Sequence, residues 1–155
     1  VPIFIDADDD SLAIASQCGI YYTVRADEAM EENICRITGG RLAKDSVYCS
    51  GSDLSPSLPF TYTATDGTVI YTGFDFPDVS VAVKPALEKR LTVTAVTNDY
   101  SNNATAINRI VNKAVNLAPF CKDVRPVADI AKLFDQAAAK KDAGKHVPYT
   151  IVNMI

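Results

Sequence analysis

The sequence predicts an α+β fold: an N-terminal β-hairpin and an antiparallel meander sheet, followed by two C-terminal α-helices. Short runs rich in β-branched and aromatic residues occupy most of residues 1–97, which is typical of strands. After residue 102 the apolar residues recur at intervals of three and four, which is typical of helices with one buried face. The chain has 155 residues, of which 48% are hydrophobic, so we expect a single domain over residues 1–155 with its own core.

The N-terminal segment is predicted to begin with the hairpin. Residues 3–5 and 12–14 are short apolar runs that suit strands, and a strongly acidic tip lies between them. Residues 20–24 are rich in aromatic and β-branched side chains and predict another strand. Residues 26–33 contain helix-forming residues but a poor apolar stripe, so a short helix and a loop both stay open.

The middle of the chain is predicted as further strands. Residues 35–38 and 46–49 suit two brief strands around a glycine pair, and the Ser, Gly and Pro content of residues 50–59 indicates a loop. Asp66 and Gly67 lie between two β-type runs, and this pair favours a two-residue hairpin turn because its glycine can adopt positive φ.

The C-terminal part contains the last strands and both helices. Alternating residues at 79–83 and 91–95 predict two strands that complete the meander. The apolar spacing then predicts helices over about 102–118 and 126–143, each burying one face. The tail, residues 147–155, is apolar and has strand character, so we expect it to pack against its own domain or a neighbour.

The sequence contains no recognisable catalytic motif. It lacks a phosphate-cradling loop, a paired-cysteine metal motif and a nucleophile elbow, and His146 is its only histidine. We therefore predict that the chain is not an enzyme and has no catalytic residues, metal site, cofactor or small-molecule substrate. The net charge of −4 argues against a protein whose whole surface binds polyanions, although it allows a local basic face. No apolar run is long enough to span a membrane.

The acidic segment offers one alternative. It resembles the motif with which haloacid-dehalogenase-like phosphotransferases hold magnesium, where an apolar strand delivers two carboxylates, here Asp6 and Asp8. Asp10 departs from that motif, and the sequence shows no alternating strand and helix pattern that would predict a parallel sheet. An acidic hairpin tip is the preferred interpretation.

Alternation along the predicted strands sorts their side chains onto two faces of the sheet. One face is apolar, and the other is rich in hydroxyl groups with some positive charge at its edge. A solvated sheet face explains this pattern as well as a binding surface does. The residues of the hydroxyl-rich face are Thr61, Thr63, Thr68, Thr72, Ser80, Lys84, Thr92 and Thr94.

The order of hairpin, meander and two helices resembles the coat proteins of single-stranded RNA bacteriophages. Residues 90–99, a last strand that runs through a polar cap into the helix bearing Ile107 and Ile110, carry the likeness together with the opening hairpin. The resemblance implies a capsid subunit that forms homodimers through helices laid across the partner's sheet and self-assembles into a virion in the bacterial cytoplasm. It also implies RNA contacts by Thr61, Thr63, Lys84, Arg90, Thr92 and Thr94.

A secreted, disulfide-containing toxin or effector of a fungus or its virus stays open as the alternative. The sequence has a glycosylation sequon at Asn103 and a dibasic pair at residues 89–90. Its cysteines are even in number and could form two disulfides, although free thiols are favoured because the chain can build a core without them. The cysteines are Cys18, Cys35, Cys49 and Cys121.

Overall fold

Strands and helices alternate along the chain in the computed structural model, which describes residues 1–49, 54–73, 78, 80–97, 102–121, 123–142 and 150–153. The strands are β1 (Ile3–Asp6), β2 (Tyr22–Arg25), β3 (Ala43–Cys49), β4 (Thr63–Thr72), β5 (Thr92–Val96), β6 (Val124–Pro126) and β7 (Ile151–Asn153). The α-helices are α1 (Asp9–Gln17), α2 (Met30–Thr38), α3 (Pro59–Tyr62), α4 (Val83–Glu88), α5 (Asn103–Val111) and α6 (Ile130–Asp142). Two short 3-10 helices cover Ala118–Cys121 and Val127–Asp129.

Every pair of neighbouring strands within the described residues is parallel. One sheet pairs β1 with β2, a second has the order β3-β4-β5, and a third pairs β6 with β7. Each of these pairs is joined by a connection that contains a helix, and such a connection returns the chain to the starting edge so that the next strand runs in the same direction. The predicted α+β class with an antiparallel meander is therefore wrong, and the chain is a parallel α/β protein.

The acidic segment after β1 is the start of a helix. The Asp8 side chain accepts hydrogen bonds from the Ser11 backbone N at 2.8 Å and from the Ser11 hydroxyl at 3.0 Å, which makes it the N-cap of α1. Asp9 and Asp10 follow in the first turn, where the helix dipole favours negative charge. Residues 12–14 consequently lie in α1, and the predicted hairpin with an acidic tip is wrong.

The second half of helix α2 occupies residues 35–38, for which the sequence predicted a strand, while its first half lies in residues 26–33, where a short helix and a loop were both open. Met30 and Ile34 are buried one turn apart, and the Thr38 hydroxyl donates a hydrogen bond to the Ile34 carbonyl at 2.8 Å. The helix ends where Gly39 adopts the left-handed conformation with φ 60°. Residues 35–38 are therefore helical, because the burial of one apolar face outweighs their local strand character.

The predicted turn at Asp66 and Gly67 is a bulge within β4. Residues 59–62 form α3, and the residues on both sides of the predicted turn belong to one strand, β4. The pairing of β3 with β4 steps from Ala43↔Thr63 to Asp45↔Thr68. The extra residues of β4 leave the ladder, and Asp66 has φ 60°. A Cβ atom on Gly67 would lie 2.6 Å from the Lys44 carbonyl oxygen, so only glycine fits.

Lys89, which follows α4, fixes the junction between α3 and β4. Its ammonium group donates hydrogen bonds to the carbonyl oxygens of Phe60 at 2.8 Å, Thr61 at 2.6 Å and Thr63 at 2.9 Å. Desolvation by burial lowers the pKa of Lys89, and the negative charge of Glu31 partly opposes this effect. The three carbonyls at the end of α3 are thus satisfied by one cation.

The C-terminal part differs from the prediction in both strands and helices. Residues 83–88 form α4 rather than the end of a strand, and residue 79 lies outside the described residues. In α5, Ile107 is 59% exposed and Val111 is 70% exposed, so the stripe that was expected to be buried faces outward. The described part of the apolar tail includes β7, which pairs with β6.

Two apolar clusters hold the sheets and helices together. In the first, Val24 of β2 packs with Met30 and Ile34 of α2 and with Tyr62 of α3. Its partly buried members are Ile3, Ile5, Ala26, Ile37 and Leu58. The second cluster contains Phe60, Val69 and Ala86, with Tyr71 and Leu91 beside them. Helices α2 and α3 also contact each other, so one helical layer extends from the β1–β2 sheet towards the β3–β4–β5 sheet.

Candidate functional site

The sheet topology identifies one end of the molecule as the place for a ligand. The chain passes from β1 to β2 in one sheet and then begins a second sheet at β3, from which β4 and β5 follow in order. The direction in which strands are added therefore restarts at β3. In open parallel sheets, ligands bind outside the carboxyl ends of the strands, so the carboxyl ends of β1 and β3, the first strands of the two sheets, are the candidate positions for a ligand.

Asp6 is the residue at the carboxyl end of β1. Its Oδ1 atom accepts a hydrogen bond from the Asp8 backbone N at 2.9 Å, and its carbonyl accepts one from the Ala26 backbone N at 2.9 Å. These contacts orient a half-buried carboxylate at the strand end, beside the start of α1. A carboxylate has about four lone-pair sites, so it can accept further hydrogen bonds from a ligand.

The surroundings of Asp6 are acidic. Asp8 caps α1, and Asp9 and Asp10 occupy its first turn. Arg25, which pairs with Asp6 in the β1–β2 ladder, forms an ion pair with Asp9. The positive charge of Arg25 is thus neutralised by Asp9, and the remaining carboxylates leave the carboxyl end of β1 with net negative charge.

Two tyrosines hold the loop on the β3 side of the site. Tyr48 and Tyr71 are partners in the β3–β4 ladder, and their ring centroids are 5.5 Å apart. The Tyr48 hydroxyl donates to the Leu54 carbonyl at 2.7 Å, and the Tyr71 hydroxyl donates to the Pro56 carbonyl at 2.6 Å. Burial raises the pKa of Tyr71, and Tyr48 adds to this effect. The two hydroxyl groups therefore fix residues 54–56 near the carboxyl ends of β3 and β4.

A third tyrosine is buried in the first apolar cluster. Burial, reinforced by the neighbouring Tyr71 and Tyr48, raises the pKa of Tyr62 to about 12. Its side chain packs with Val24 and Ile34, so it joins β2, the strand paired with β1, to the helical layer.

The residues for which the sequence predicted RNA contacts have different surroundings. Thr61 donates its hydroxyl hydrogen bond to the Leu58 carbonyl at 2.9 Å. Thr63 is fully buried, and its hydroxyl lies 2.7 Å from that of Ser46. Both are tied to the α3–β4 junction rather than to one sheet face.

The remaining four of these residues lie on and around α4 and β5. Lys84 is exposed and lies 3.7 Å from a carboxylate one helical turn away. Arg90 donates to both carboxylate oxygens of Asp66, at 2.8 and 2.6 Å, which lowers the pKa of Asp66. Thr92 and Thr94 are exposed on β5. That these residues take part in binding stays a prediction.

The described part of the chain contains no disulfide, no cluster of metal ligands and no membrane-spanning helix. Cys18, Cys35 and Cys49 are free thiols, while the side chain of Cys121 lies outside the described residues. No three His, Cys, Asp or Glu side chains come close enough to hold a metal ion within residues 1–49, 54–73, 78, 80–97, 102–121, 123–142 and 150–153. None of the helices described has both the length and the apolar character that crossing a bilayer requires.

Comparison of the fold with solved structures identifies its architecture. Benzyl alcohol dehydrogenase from Acinetobacter calcoaceticus superposes with a TM-score of 0.73 at 16% identity, over 99% of this chain and 42% of that one. L-Idonate 5-dehydrogenase from Escherichia coli gives 0.70 at 17% identity, over 88% and 39%. An Escherichia coli alcohol dehydrogenase complexed with NADH gives 0.65 at 15% identity, over 86% and 40%.

This chain has a Rossmann-type fold. The parallel sheets, the intervening helices and these superpositions agree on it, although the chain spans less than half the length of the structures it matches. By sequence, no protein family and no characterised protein matches it.

The Rossmann-type fold corrects the functional interpretation of the sequence. The resemblance to phage coat proteins is wrong, because the sheets are parallel and the three solved structures named above, which share the fold, are dehydrogenases. The predictions that rested on this resemblance are wrong as well: the capsid function, self-assembly into a virion, and the homodimer and RNA partners. The same structures contradict the expectation of a non-enzyme without a small-molecule substrate.

Sequence reasoning noticed Asp6 but gave it the wrong surroundings. The local patterns predict a hairpin there and do not show the alternation of strand and helix that places a carboxylate at the end of a parallel strand. The signal that could have revealed the alternation is the order of Asp8, two acidic residues and Ser11, which is typical of a capped helix N-terminus. No sequence signal reveals that Tyr48 and Tyr71 are neighbours, because that contact depends on the strand register.

Proposed function

We propose that this chain belongs to the nucleotide-binding part of an NAD-dependent dehydrogenase and that Asp6 binds the adenosine ribose of the dinucleotide. The observation that carries the proposal is the position of the Asp6 carboxylate at the carboxyl end of β1, beside the start of α1. In dinucleotide-binding folds, an acidic residue at such a strand end accepts hydrogen bonds from the ribose hydroxyls. A protein with a similar fold is complexed with NADH.

The geometry around Asp6 suits a sugar diol. Its Oδ1 atom is held by the Asp8 backbone N, so the carboxylate is oriented before a ligand arrives. Hydrogen bonds from neutral hydroxyls to a carboxylate are charge-assisted, and each is stronger than a bond between neutral groups. Half-burial of Asp6 reduces the competition from water for these bonds. This residue can therefore bind and orient the ribose.

The described residues do not suit the pyrophosphate in the same way. A helix N-terminus attracts phosphate through its free backbone N–H groups, but the first turn of α1 contains Asp9 and Asp10, and Asp8 already occupies the Ser11 N–H. The residues present thus fit the ribose and disfavour phosphate at α1. NAD, when bound, supplies the hydride chemistry; the part of this chain is to hold one ribose.

The same charges favour NAD over NADP. A 2′-phosphate on the adenosine ribose would lie where Asp6 binds the hydroxyls, close to the acidic turn of α1. An arginine near this position can neutralise such a phosphate, but Arg25 is already paired with Asp9. Binding of NADP therefore requires that the ion pair be broken and that like charges approach each other.

Fluorescence titration of the purified protein with NADH tests the proposal. Replacing Asp6 by Ala should weaken NADH binding about tenfold to a hundredfold, since hydrogen bonds to a charged group contribute about 1.5–3 kcal/mol. The matched control is Asp10→Ala, which removes an exposed carboxylate from the first turn of α1, close to Asp6 in sequence. It should change the affinity for NADH by less than about threefold. NADPH should bind more weakly than NADH. Equal affinity for NADH in the Asp6 and Asp10 variants would refute the role of Asp6.

We also propose that residues 1–155 form one domain. The first apolar cluster supports this organisation, because it joins residues of β1 and β2 to residues of α3. Urea unfolding followed by tyrosine fluorescence and by far-UV circular dichroism should then give coincident transitions. Two separated transitions would contradict the proposal.

A further inference from the structure

A cleft of about 250 Å³ is lined by residues of β6, of α6 and of the turn that leads into α6. Asp129 ends the second 3-10 helix, which runs directly into α6. Counted from it, Lys132, Leu133 and Gln136 stand at positions i+3, i+4 and i+7, and residues with this spacing share one face of a helix. Arg125 of β6 completes the lining. The volume is just below the range of about 300–1,000 Å³ that is usual for ligand pockets, so the cleft suits a small molecule.

Arg125 is oriented by a hydrogen bond on one side of its guanidinium group. Its Nε atom donates to Asp123 Oδ1 at 2.5 Å, and the other oxygen of that carboxylate accepts from the Thr150 hydroxyl at 2.9 Å. The bond to Asp123 raises the pKa of Arg125, and the negative charge of Asp129 contributes further. The two Nη groups make no hydrogen bond to the residues that the structure describes. Arg125 can therefore donate both of them to the carboxylate of a ligand.

Three more polar side chains of the cleft have unused hydrogen-bonding capacity. Lys132 Nζ lies 3.7 Å from Asp129 Oδ1, which makes an ion pair but is too long for a hydrogen bond. Neither of these two groups, nor the Gln136 amide, forms a hydrogen bond with any part of the chain that is described. The Asp129 side chain is only 37% exposed, and a carboxylate partly shielded from water is stabilised by a hydrogen-bond donor. A bound molecule can supply that donor.

The arrangement of charges in the cleft decides which class of ligand fits it. Asp129 lies close enough to Arg125 to affect its pKa, and its carboxylate is also paired with Lys132. A simple anion bound to Arg125 would be repelled by Asp129, and a simple cation bound to Asp129 would be repelled by the two basic side chains. An α-amino acid carries its carboxylate and its ammonium group on one carbon atom. It can therefore meet both kinds of charge at once.

We propose that this cleft binds a free α-amino acid. The α-carboxylate accepts hydrogen bonds from Arg125 and Lys132, and the α-ammonium group donates to Asp129. The side chain of the ligand lies along Leu133 with a polar end at the amide of Gln136, which can both donate and accept. The inference rests on β6 and α6 alone and does not require that Asp6 bind a nucleotide.

Isothermal titration calorimetry with L-glutamine tests the proposal, and two analogues separate its charged groups. Glutaramate lacks only the α-ammonium group, and 4-aminobutanamide lacks only the α-carboxylate. L-Glutamine should bind with a Kd of about 1 mM or tighter, and each analogue at least about tenfold more weakly, because each loses a charge-assisted hydrogen bond. Binding of either analogue as tight as that of L-glutamine would overturn the proposal. So would a failure of L-glutamine to bind at about 10 mM.

Three variants connect the binding to the cleft. Arg125→Gln and Asp129→Asn should each weaken the binding of L-glutamine at least about tenfold, and Asp129→Asn should also abolish the preference over glutaramate. The matched control is Arg109→Gln, which removes an exposed arginine of α5 outside the cleft and should change the affinity by less than about twofold. Far-UV circular dichroism checks that each variant is folded. Equal affinity in the Arg125 and Arg109 variants, or an unchanged preference in Asp129→Asn, would refute the proposed contacts.

Discussion

Replacement of Lys89 by Met tests whether one ammonium group holds the α3–β4 junction. Lys89 Nζ donates three hydrogen bonds of 2.6–2.9 Å to the carbonyls of Phe60, Thr61 and Thr63. Methionine retains most of the aliphatic packing but cannot donate. Hydrogen bonds from charged donors contribute about 1.5–3 kcal/mol when buried. Lys89 is only half-buried, so in the variant water can hydrogen-bond to some of the three carbonyls and recover part of this energy. We therefore expect the unfolding free energy to fall by about 2–3 kcal/mol in total.

The matched control is Lys84→Met on α4. Lys84 is exposed and lies 3.7 Å from Glu88, so its removal should cost about 0.5 kcal/mol or less. In urea denaturation, the midpoint of the Lys89 variant should fall by about 1 M and that of the Lys84 variant should hardly move. If the two variants differ by less than about 0.5 kcal/mol, the three carbonyls do not depend on Lys89.

Two further perturbations follow from the geometry. Gly67→Ala should lower the unfolding free energy by about 2–3 kcal/mol, because the new Cβ would lie 2.6 Å from the Lys44 carbonyl oxygen. Gly40 has φ +80° but no atom within 4 Å of an added Cβ, so Gly40→Ala should cost only about 1 kcal/mol. Equal losses in urea denaturation would contradict the steric explanation. The raised pKa of Tyr62, about 12 instead of 10.0, stabilises the fold fully below pH 10 and progressively less up to pH 12, a loss of about 3 kcal/mol. Unfolding measured across this range should show a weaker pH dependence in Tyr62→Phe, and the same slope in both proteins would refute the burial effect.

Local sequence patterns predicted the positions of some strands, but not which strands pair. The apolar run at the start of β1 is a strand in the structure, but its partner is β2 and not residues 12–14. Strand partners depend on contacts distant in sequence, whereas a cap such as Asp8 is local. Helix α2 is only partly predicted by the sequence, because Met30 and Ile34 become a buried face only when β1 and β2 lie beneath them.

The candidate site was only partly predictable for the same reason. The sequence drew attention to the carboxylate of Asp6 but not to its role, which depends on a parallel neighbour and on the helix that starts beside it. The hairpin predicted at Asp66 and Gly67 had a sound local basis, yet Asp66 instead pairs with Arg90 from the connection between α4 and β5. Turn chemistry identifies a break in a strand without determining whether the chain reverses or bulges.

The parallel pairing of every described strand also has a kinetic consequence. A hairpin can form within microseconds from a turn of a few residues, but none of the ladders here can begin in that way. Each ladder must first close a loop that contains a whole helix, so the entropy of closure is lost before the first ladder hydrogen bond forms. We therefore expect the helices to be structured early, with strand pairing as the slow step that sets the folding rate.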